Sequence, residues 1–478
     1  MLMTGCSTPS SPSSDAGADA AACGPAVQDC PCCSAIAIKK LAFTGNNVID
    51  KDTDGRFARE FGGVAGVLQF DWEFEWLDGR DQAEQMPVSY ARNRKVSFYA
   101  AFRVTTAACR SDETIQVKAN ATFGSASLEW NATVTVNPGD SEVNAMLSSN
   151  NPLPDEIGIF ESSDIVWQMN PCNAGWRPAG VTRNVVYVTL SDPADSPNYW
   201  TLLDISCRAA AGISNENDFV KASFVPFRST VGDGKGFKRK RDGKELTYYK
   251  FGAGTSSSGV YDCRDLLSRD DATGRCGAWA SFLVAMHHVH GVTSSVHFGV
   301  RPVGAPLLIV RKCTFKGAGS LPVPYTHAGI KECSKEDGIF GQGKNNPQFT
   351  FDNHALVSHA TGIYDPSYGV GPIPDLPTWE TGGIAGVGEF PPLKFTYGGD
   401  PHYIPARCSP GFRVHVAETG DTVASIASKF GIASATALYS HRYNSRYRAT
   451  YSPPGGIFPG DWIIIPRDIS NKGILEKY

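Results

Sequence analysis

The 478-residue sequence contains no run of about eighteen apolar residues, the length a helix needs to cross a bilayer, so a membrane-spanning helix is excluded as a reading. No secretory leader is read at the start either. Met3-Thr4-Gly5-Cys6 imitates a lipoprotein cleavage site, but only five residues precede Cys6, with neither a basic nor an apolar stretch among them. The chain therefore reads as made in a cytoplasm without a classical signal peptide. Charge of one sign is scarce, since 44 Lys and Arg face 48 Asp and Glu for a net of −4. No global basic field points to nucleic acid. The one basic run, Lys238-Arg239-Lys240-Arg241, sits between Gly236 and Gly243 and reads as a solvated loop. There is no phosphate-cradling loop and no convincing metal motif, so no cofactor and no metal are expected. His287, His288 and His290 invite a metal reading. On a helix only His287 and His290 share a face, with no carboxylate nearby, and an exposed or capped helix end is expected instead.

Turn residues and aromatics are plentiful: 49 Gly, 31 Pro and 11% aromatics suit β-rich domains joined by many turns. Ser7 to Ala22 is Ser-, Pro- and Ala-rich and reads as a disordered lead. Cys23, Cys30, Cys32 and Cys33 follow, in a spacing that fits no common zinc pattern. Residues 35–138 hold period-two runs: Ile36 to Phe43, Leu68 to Trp76, Val96 to Val104, and two strands between Thr114 and Val136 around Phe123-Gly124-Ser125. They predict an antiparallel immunoglobulin-like sandwich. The alternation puts Asp71, Glu73 and Glu75 on its solvent face. Residues 139–181 read as an irregular connector. Asn184 to Leu190 reads as a buried strand, and Tyr199 to Ala211 and Asn217 to Arg228 as helices, the second ended early by Pro226.

Chemistry concentrates at Gly274-Arg275-Cys276-Gly277-Ala278-Trp279-Ala280. Thr273 reads as a cap and Gly274 as a tight turn, with Ala280, Leu283 and Val284 at helical spacing and Gly291 as the stop. Cys276 then lies in the first helical turn, where unpaired N–H groups and the helix dipole push a thiol toward thiolate. The bland alternative is a small buried residue at a helix start. A nucleophilic thiol needs a base and an orienting group. Phe349 to Val357 alternates like a strand and carries His354, and Ile363 to Gly369 returns after the turn Ala360-Thr361-Gly362. With a loop over Ser358 to Thr361, opposed residue numbers sum to 719. His354 and Asp365 would then be direct cross-strand neighbours.

A Cys opening a helix in G-R-C-G-A-W-A, then N-H-A-L-V, then Y-D-P-S-Y-G, resembles the transglutaminase-like branch of the papain-like cysteine enzymes, over roughly residues 182–400. The resemblance implies Cys276 as nucleophile, His354 as general base and acid, and Asp365 as orienting group. Gly338-Ile339-Phe340-Gly341-Gln342-Gly343 could border the cleft, with the Gln342 amide or the Cys276 backbone N–H as oxyanion donor. The family includes cross-linkers, proteases, amidases and inactive relatives, so it does not fix the reaction.

After a Gly- and Pro-rich stretch, Gly369 to Pro405, read as a long surface loop, the pattern changes. Arg413 to Glu418 reads as a strand, Gly420-Asp421-Thr422 as a helix start, and Val423, Ile426, Ala427 and Phe430 as a helix face. Ser434 to Tyr443 reads as a second helix and Pro459 to Pro466 as the returning strand. G-D-T-V-x-x-I-A and P-G-D-x-I-x-I-P resemble a LysM module. The resemblance implies binding of peptidoglycan or another N-acetylglucosamine-containing glycan between Gly420, Asp421, Thr422 and the segment at Tyr443 and Asn444. Protein docking is the alternative.

The expected architecture is multidomain α+β: a lead with the Cys cluster (1–34), a sandwich (35–138), a connector (139–181), a papain/transglutaminase-like α+β catalytic domain (182–405) and a βααβ LysM module (406–478). The function expected is a Cys-dependent amide hydrolase, a peptidoglycan amidase or peptidase or a protease, acting at the bacterial wall. The alternatives are a cross-linking transglutaminase and a non-catalytic wall-binding or docking scaffold. The Cys23 to Cys33 cluster loosely resembles the start of proteins associated with bacterial type VI secretion. That implies an antibacterial effector made in the bacterial cytoplasm and acting in a target-cell periplasm, with a secretion spike protein and an immunity protein as partners.

Overall fold

The structure is a computed structural model and describes residues 34–50, 52, 74–82, 85–106, 112–194, 198–230, 236–248, 262–302, 307–310, 341–343, 350–351, 353–388, 394–397, 400–403, 412–440, 457, 462–466 and 475–477. It is a mixed α+β protein, mostly strands in several sheets with few helices. The cluster Cys23, Cys30, Cys32 and Cys33 lies outside the described residues.

The first eleven strands are β1 (Ala35–Thr44), β2 (Trp76–Leu77), β3 (Val88–Ala91), β4 (Lys95–Thr106), β5 (Glu113–Phe123), β6 (Ala126–Val136), β7 (Glu142–Pro152), β8 (Gly158–Phe160), β9 (Asp164–Pro171), β10 (Arg177–Arg183) and β11 (Val186–Thr189). Eight of them form two four-stranded sheets, β2-β1-β4-β7 and β10-β9-β5-β6. Period two sets the faces: in β5, Ile115, Val117, Ala119, Ala121 and Phe123 are buried while Thr114, Gln116 and Thr122 are exposed. The buried faces share one core in which Phe98 lies 5.0 Å from Trp130 and 5.4 Å from Trp167, ring centre to ring centre. Each indole N–H finds a partner, Val96 O at 2.8 Å and Thr182 Oγ1 at 3.1 Å.

Two expectations change here. Residues 139–181 are not an irregular connector, because β7 to β10 run through them. In β7, Val143, Ala145 and Leu147 alternate inward behind a run of Asn and Ser that hides the strand in the sequence. Glu75 is not on a solvent face. It is buried and accepts the Phe43 N–H at 2.9 Å, while Leu68 to Glu73 lie outside the described residues. The third small sheet, β3-β11-β8, joins this half to the next. All four residues of β11 are buried, as the apolar run at 184–190 predicts.

The second part contains α1 (Trp200–Ala209), α2 (Glu216–Ser229), β12 (Phe237–Lys238), β13 (Glu245–Tyr248), α3 (Cys263–Ser268), β14 (Thr273–Gly274), α4 (Cys276–His288), β15 (Val296–Pro302), β16 (Leu307–Val310), β17 (Thr350–Phe351), β18 (His354–His359), β19 (Gly362–Asp365), β20 (Val370–Ile373), α5 (Leu376–Gly383), β21 (Ile384–Gly388), β22 (Lys394–Tyr397) and β23 (Asp400–Tyr403). Gly369 to Pro405 is therefore not one long loop. Helix α2 starts on an Asn215 cap, bonded to Asp218 N at 3.0 Å, and carries Pro226 in its last turn to end only at Ser229. Helix α4 is the buried axis. Ala278, Trp279, Phe282, Leu283 and Met286 are fully buried among α1, α2, α3 and β18, and each large side chain contributes about 1.5–3 kcal/mol by leaving water.

The basic run is not a solvated loop. Arg239 is 1% exposed and donates through Nη1 to Leu267 O at 2.6 Å and Arg269 O at 2.7 Å, while Arg241 Nη2 donates to Ser268 O at 2.8 Å. These two side chains cap the carbonyl end of α3, where a helix favours cations. At the end of α4, His287 and, two residues past the helix, His290 are buried, whereas His288 is partly exposed. His287 lies between Ser295 Oγ (2.7 Å) and Ser223 Oγ (3.1 Å), and His290 between Leu190 N (3.2 Å) and Ser206 Oγ (2.8 Å). Burial pushes both imidazoles down to about 3, so they are neutral pins.

The last part comprises β24 (Phe412–Val416), α6 (Val423–Lys429), α7 (Ala435–Ser440), β25 (Trp462–Pro466) and β26 (Leu475–Lys477). β24 and β25 pair antiparallel with α6 and α7 between them in sequence, over a small core of Ala417, Val423, Ile426, Ala427, Leu438, Ile463 and Ile465. The boundary at 405/406 is not a break in hydrogen bonding. β24 joins the sheet β17-β16-β21-β24-β25, and β26 adds to β20-β19-β18-β15-β26. No helix among the described residues is long and apolar enough to cross a membrane.

Candidate functional site

Cys276 is the first residue of α4 and is half-buried. The cap position belongs to Arg275, in extended conformation and without a side-chain capping bond. Thr273, expected as the cap, is instead in β14, which pairs in parallel with β13 through Thr247↔Thr273 and Tyr248↔Gly274. Gly274 is required by closeness: a Cβ there would lie 2.9 Å from the Ala278 Cβ and 3.0 Å from Leu266 Cδ1. Strand and helix thus meet with no spare room, and Cys276 sits at the turn between them.

Helix α4 packs along β18, whose first residue is His354. The hairpin β18–β19 has the register Val357↔Tyr364, Ser358↔Ile363 and His359↔Gly362. Ala360 and Thr361 alone make the loop, so His354 and Asp365 are not directly opposed as the longer loop predicts. The register differs by two residues, which keeps both on one face as diagonal neighbours. Their side chains still meet: His354 Nε2 lies 2.9 Å from Asp365 Oδ2, with His354 2% exposed and Asp365 fully buried.

The Cys276 side chain lies close enough to the His354 ring to act on its charge. Burial on its own disfavours the imidazolium. The charge and hydrogen bond of Asp365, joined by the nearby Cys276, outweigh it and push His354 up to about 10. Tyr368 and Trp379 stack on the ring, with centroids at 4.9 Å and 5.7 Å and interplanar angles of 18° and 7°. Burial, and after it the neighbouring Tyr248 and Asp365, pushes the Tyr368 phenol well above its ordinary value, which keeps it a neutral O–H. The rings of Tyr248 and Tyr368 lie 5.8 Å apart.

Gln342 is brought to this region in a different role from the expected one. Its Nε2 donates both hydrogens, to Phe227 O at 2.9 Å and Pro366 O at 2.6 Å, and its Oε1 accepts from Thr230. The backbone of Gln342 bonds Ser367 O at 3.1 Å and Tyr248 N at 2.7 Å. With both amide hydrogens spent on carbonyls, this side chain is a pin for the turn after Asp365 and not an oxyanion donor. The Cys276 backbone N–H at the helix start keeps that possibility.

Trp379 is the residue the sequence reading missed. Its Nε1–H donates to Asp365 Oδ2 at 3.1 Å. The signal that could have revealed its helix is Asp375-Leu376-Pro377-Thr378, an N-cap followed by a Pro in the first turn; Thr378 N does bond Asp375 Oδ1 at 2.8 Å.

The expected glycan-binding residues are partly placed. Gly420 turns at φ +95°. Asp421 Oδ2 lies 2.7 Å from the buried His415 Nε2 and accepts the Glu418 N–H at 2.9 Å. Thr422 caps α6 in a reciprocal box with Ser425. The Asp421 and Thr422 side chains are thus engaged in building the loop. Tyr443 and Asn444 lie outside the described residues. Among the described residues no group of three or more His, Cys, Asp or Glu could hold a metal ion.

No family model matches this chain, and no curated protein matches it. Among solved structures, the sporulation control protein Spo0M from Bacillus subtilis is similar over 25% of this chain and 49% of its own, at 10% identity and a TM-score of 0.14. The chain thus covers about half the length of that protein, and a likeness this slight carries no argument about fold or function.

Proposed function

We propose that the protein is a cysteine-dependent amide hydrolase with Cys276 as nucleophile, His354 as general base and acid, and Asp365 as orienting group. One observation carries the reading: His354, bonded at 2.9 Å to the fully buried Asp365, lies near enough to Cys276, at a helix N-terminus, for the thiol to favour its charged form. In the reaction the Cys276 sulfur attacks an amide carbonyl and the C–N bond breaks as His354 gives its proton to the leaving amine. His354 then takes a proton from water, which attacks the thioester and frees the thiol and a carboxylic acid. The resemblance to transglutaminase-like enzymes supports the same roles.

The N-terminal sheets are read as an immunoglobulin-like sandwich, and the βααβ unit as LysM-like, holding peptidoglycan or a related N-acetylglucosamine polymer. The motif resemblance supports this, together with the antiparallel β24–β25 pair enclosing α6 and α7. The substrate is then a wall amide, and the N-terminal resemblance supports delivery as a type VI effector into a target periplasm. The test is mass spectrometry of peptidoglycan fragments and wall proteins exposed to the protein. New termini or released amides support hydrolysis, joined masses would reveal a cross-linker, and no change would refute the wall assignment. Toxicity to a sensitive bacterium should require an added export signal; toxicity only without one would place the target in the cytoplasm.

A further inference from the structure

We propose that Trp379 is a positioning residue for this site, its indole N–H fixing the Asp365 carboxylate and, through it, the ring of His354. The proposal rests on the reading of Cys276 as a nucleophile. The geometry is direct. Asp365 Oδ2 meets two groups, His354 Nε2 at 2.9 Å and Trp379 Nε1 at 3.1 Å. The other oxygen, Oδ1, is buried with no hydrogen-bond partner among the described residues. The carboxylate is therefore held through one oxygen by two donors. Removing the indole N–H leaves His354 as the one hydrogen-bond partner of the carboxylate among the described residues, and the carboxylate can then rotate away from the orientation that aims the imidazole toward Cys276.

The same indole covers the bond it supports. Trp379 is 2% exposed, and its ring lies nearly parallel to the imidazole. Water is thereby kept from the His354–Asp365 pair, where a hydrogen bond is stronger for the low dielectric. Trp379 is itself held from two sides. Its N–H in the backbone bonds Asp375 O at 3.1 Å, and α5 runs without a break into β21. Among the described residues, the other titratable groups around the pair are Cys276 from α4 and Tyr368 from the turn after β19, with Tyr248 of β13 packed against Tyr368. Two of these are phenols, and none supplies a second carboxylate that could replace Asp365.

The test uses the full chain and needs no substrate. Iodoacetamide labelling of Cys276 is followed by peptide mass spectrometry at pH 6 and pH 9, with the exposed Cys172 as internal reference. In the wild type Cys276 should outrun Cys172 at pH 6. Trp379→Phe keeps an aromatic ring and loses the N–H. It should lower the pH 6 to pH 9 ratio of Cys276 labelling about tenfold, because the imidazolium is then less firmly held beside the thiol. Asp365→Asn should do the same, and adding Trp379→Phe to it should change nothing further, because both act through one carboxylate. A wild-type ratio in Trp379→Phe, or effects that multiply in the double variant, overturns the proposal. Should Trp379→Phe not fold, the indole ¹⁵N resonance of Trp379 in the otherwise wild-type chain decides: it should move in Asp365→Asn, and a resonance that stays put overturns the proposal. A wild type in which Cys276 labels no faster than Cys172 at pH 6 refutes the nucleophile reading itself, an outcome separate from the Trp379 comparison.

Discussion

His354 is fully enclosed and yet favours its charged form, whereas His287 and His290, equally enclosed, are held neutral. The difference is the partner: a carboxylate and a thiol for the first, serine hydroxyls and a backbone N–H for the others. The pH dependence of stability follows from the signs. His354, raised to about 10, stabilises the fold fully below about pH 6.5, and this is lost as pH rises toward 10. His287 and His290, lowered to about 3, take up no proton in the fold while the unfolded chain does below about pH 6.5, so stability falls as pH drops from there toward 3. Thermal unfolding followed by circular dichroism should give a maximum Tm near pH 6.5. His354→Gln should flatten the alkaline slope and His290→Asn the acid one; slopes unchanged by these variants would contradict the assignments. At the same scale, Cys276→Ala and His354→Ala should each reduce wall-amide turnover by on the order of a thousandfold or more, and Asp365→Asn by less, as residues acting as a unit do. That His354 and Asp365 meet near Cys276 was legible because the order of the three and their immediate contexts are local signals. The roles of Gln342 and Trp379 were not, since each is set by partners far away in sequence, such as Phe227 and Asp365.

Elements were legible where a period ran unbroken. The alternation of β1, β4, β5 and β6 and the apolar face of α4 were read from the chain. Strand β7 was missed because Asn and Ser occupy its outer face, and α5 because Gly and Pro surround it. The β18–β19 register was misread by two residues, since the sequence does not say whether Ser358 and His359 belong to loop or ladder; an even error leaves the shared face intact, so the pair survived it. The basic run misled for another reason: only the fold shows that Arg239 and Arg241 find the carbonyl end of α3. Gly274 offers the test at this scale. Gly274→Ala forces a Cβ against Ala278 and Leu266 where β14 enters α4. It should cost about 1–3 kcal/mol, read as a lower Tm, and should depress turnover with it. An unchanged Tm would mean that the strand-to-helix turn is looser than its packing indicates.

At the scale of the molecule, the C-terminal unit reads in sequence as a separate attachment, yet two sheets run through the boundary. Val387 of β21 pairs with Arg413 of β24, and Val300 of β15 pairs with His354 on one side and Lys477 on the other. The strand carrying His354 thus has its neighbour covered by β26. Deleting residues 407–478 should therefore lower turnover of a small soluble amide as well as action on intact wall. If only wall action falls, the unit serves as a tether that raises local substrate concentration and nothing more. Catalysis by the Cys276 thiol is open to one direct measurement. Wild type and Cys276→Ala are mixed with peptidoglycan fragments, quenched in acid, and analysed by intact-protein and fragment mass spectrometry. A thiol nucleophile at this position predicts new fragment termini and a transient acyl adduct on the Cys276 peptide in the wild type, and neither in Cys276→Ala. Fragment cleavage by Cys276→Ala at the wild-type rate would contradict it.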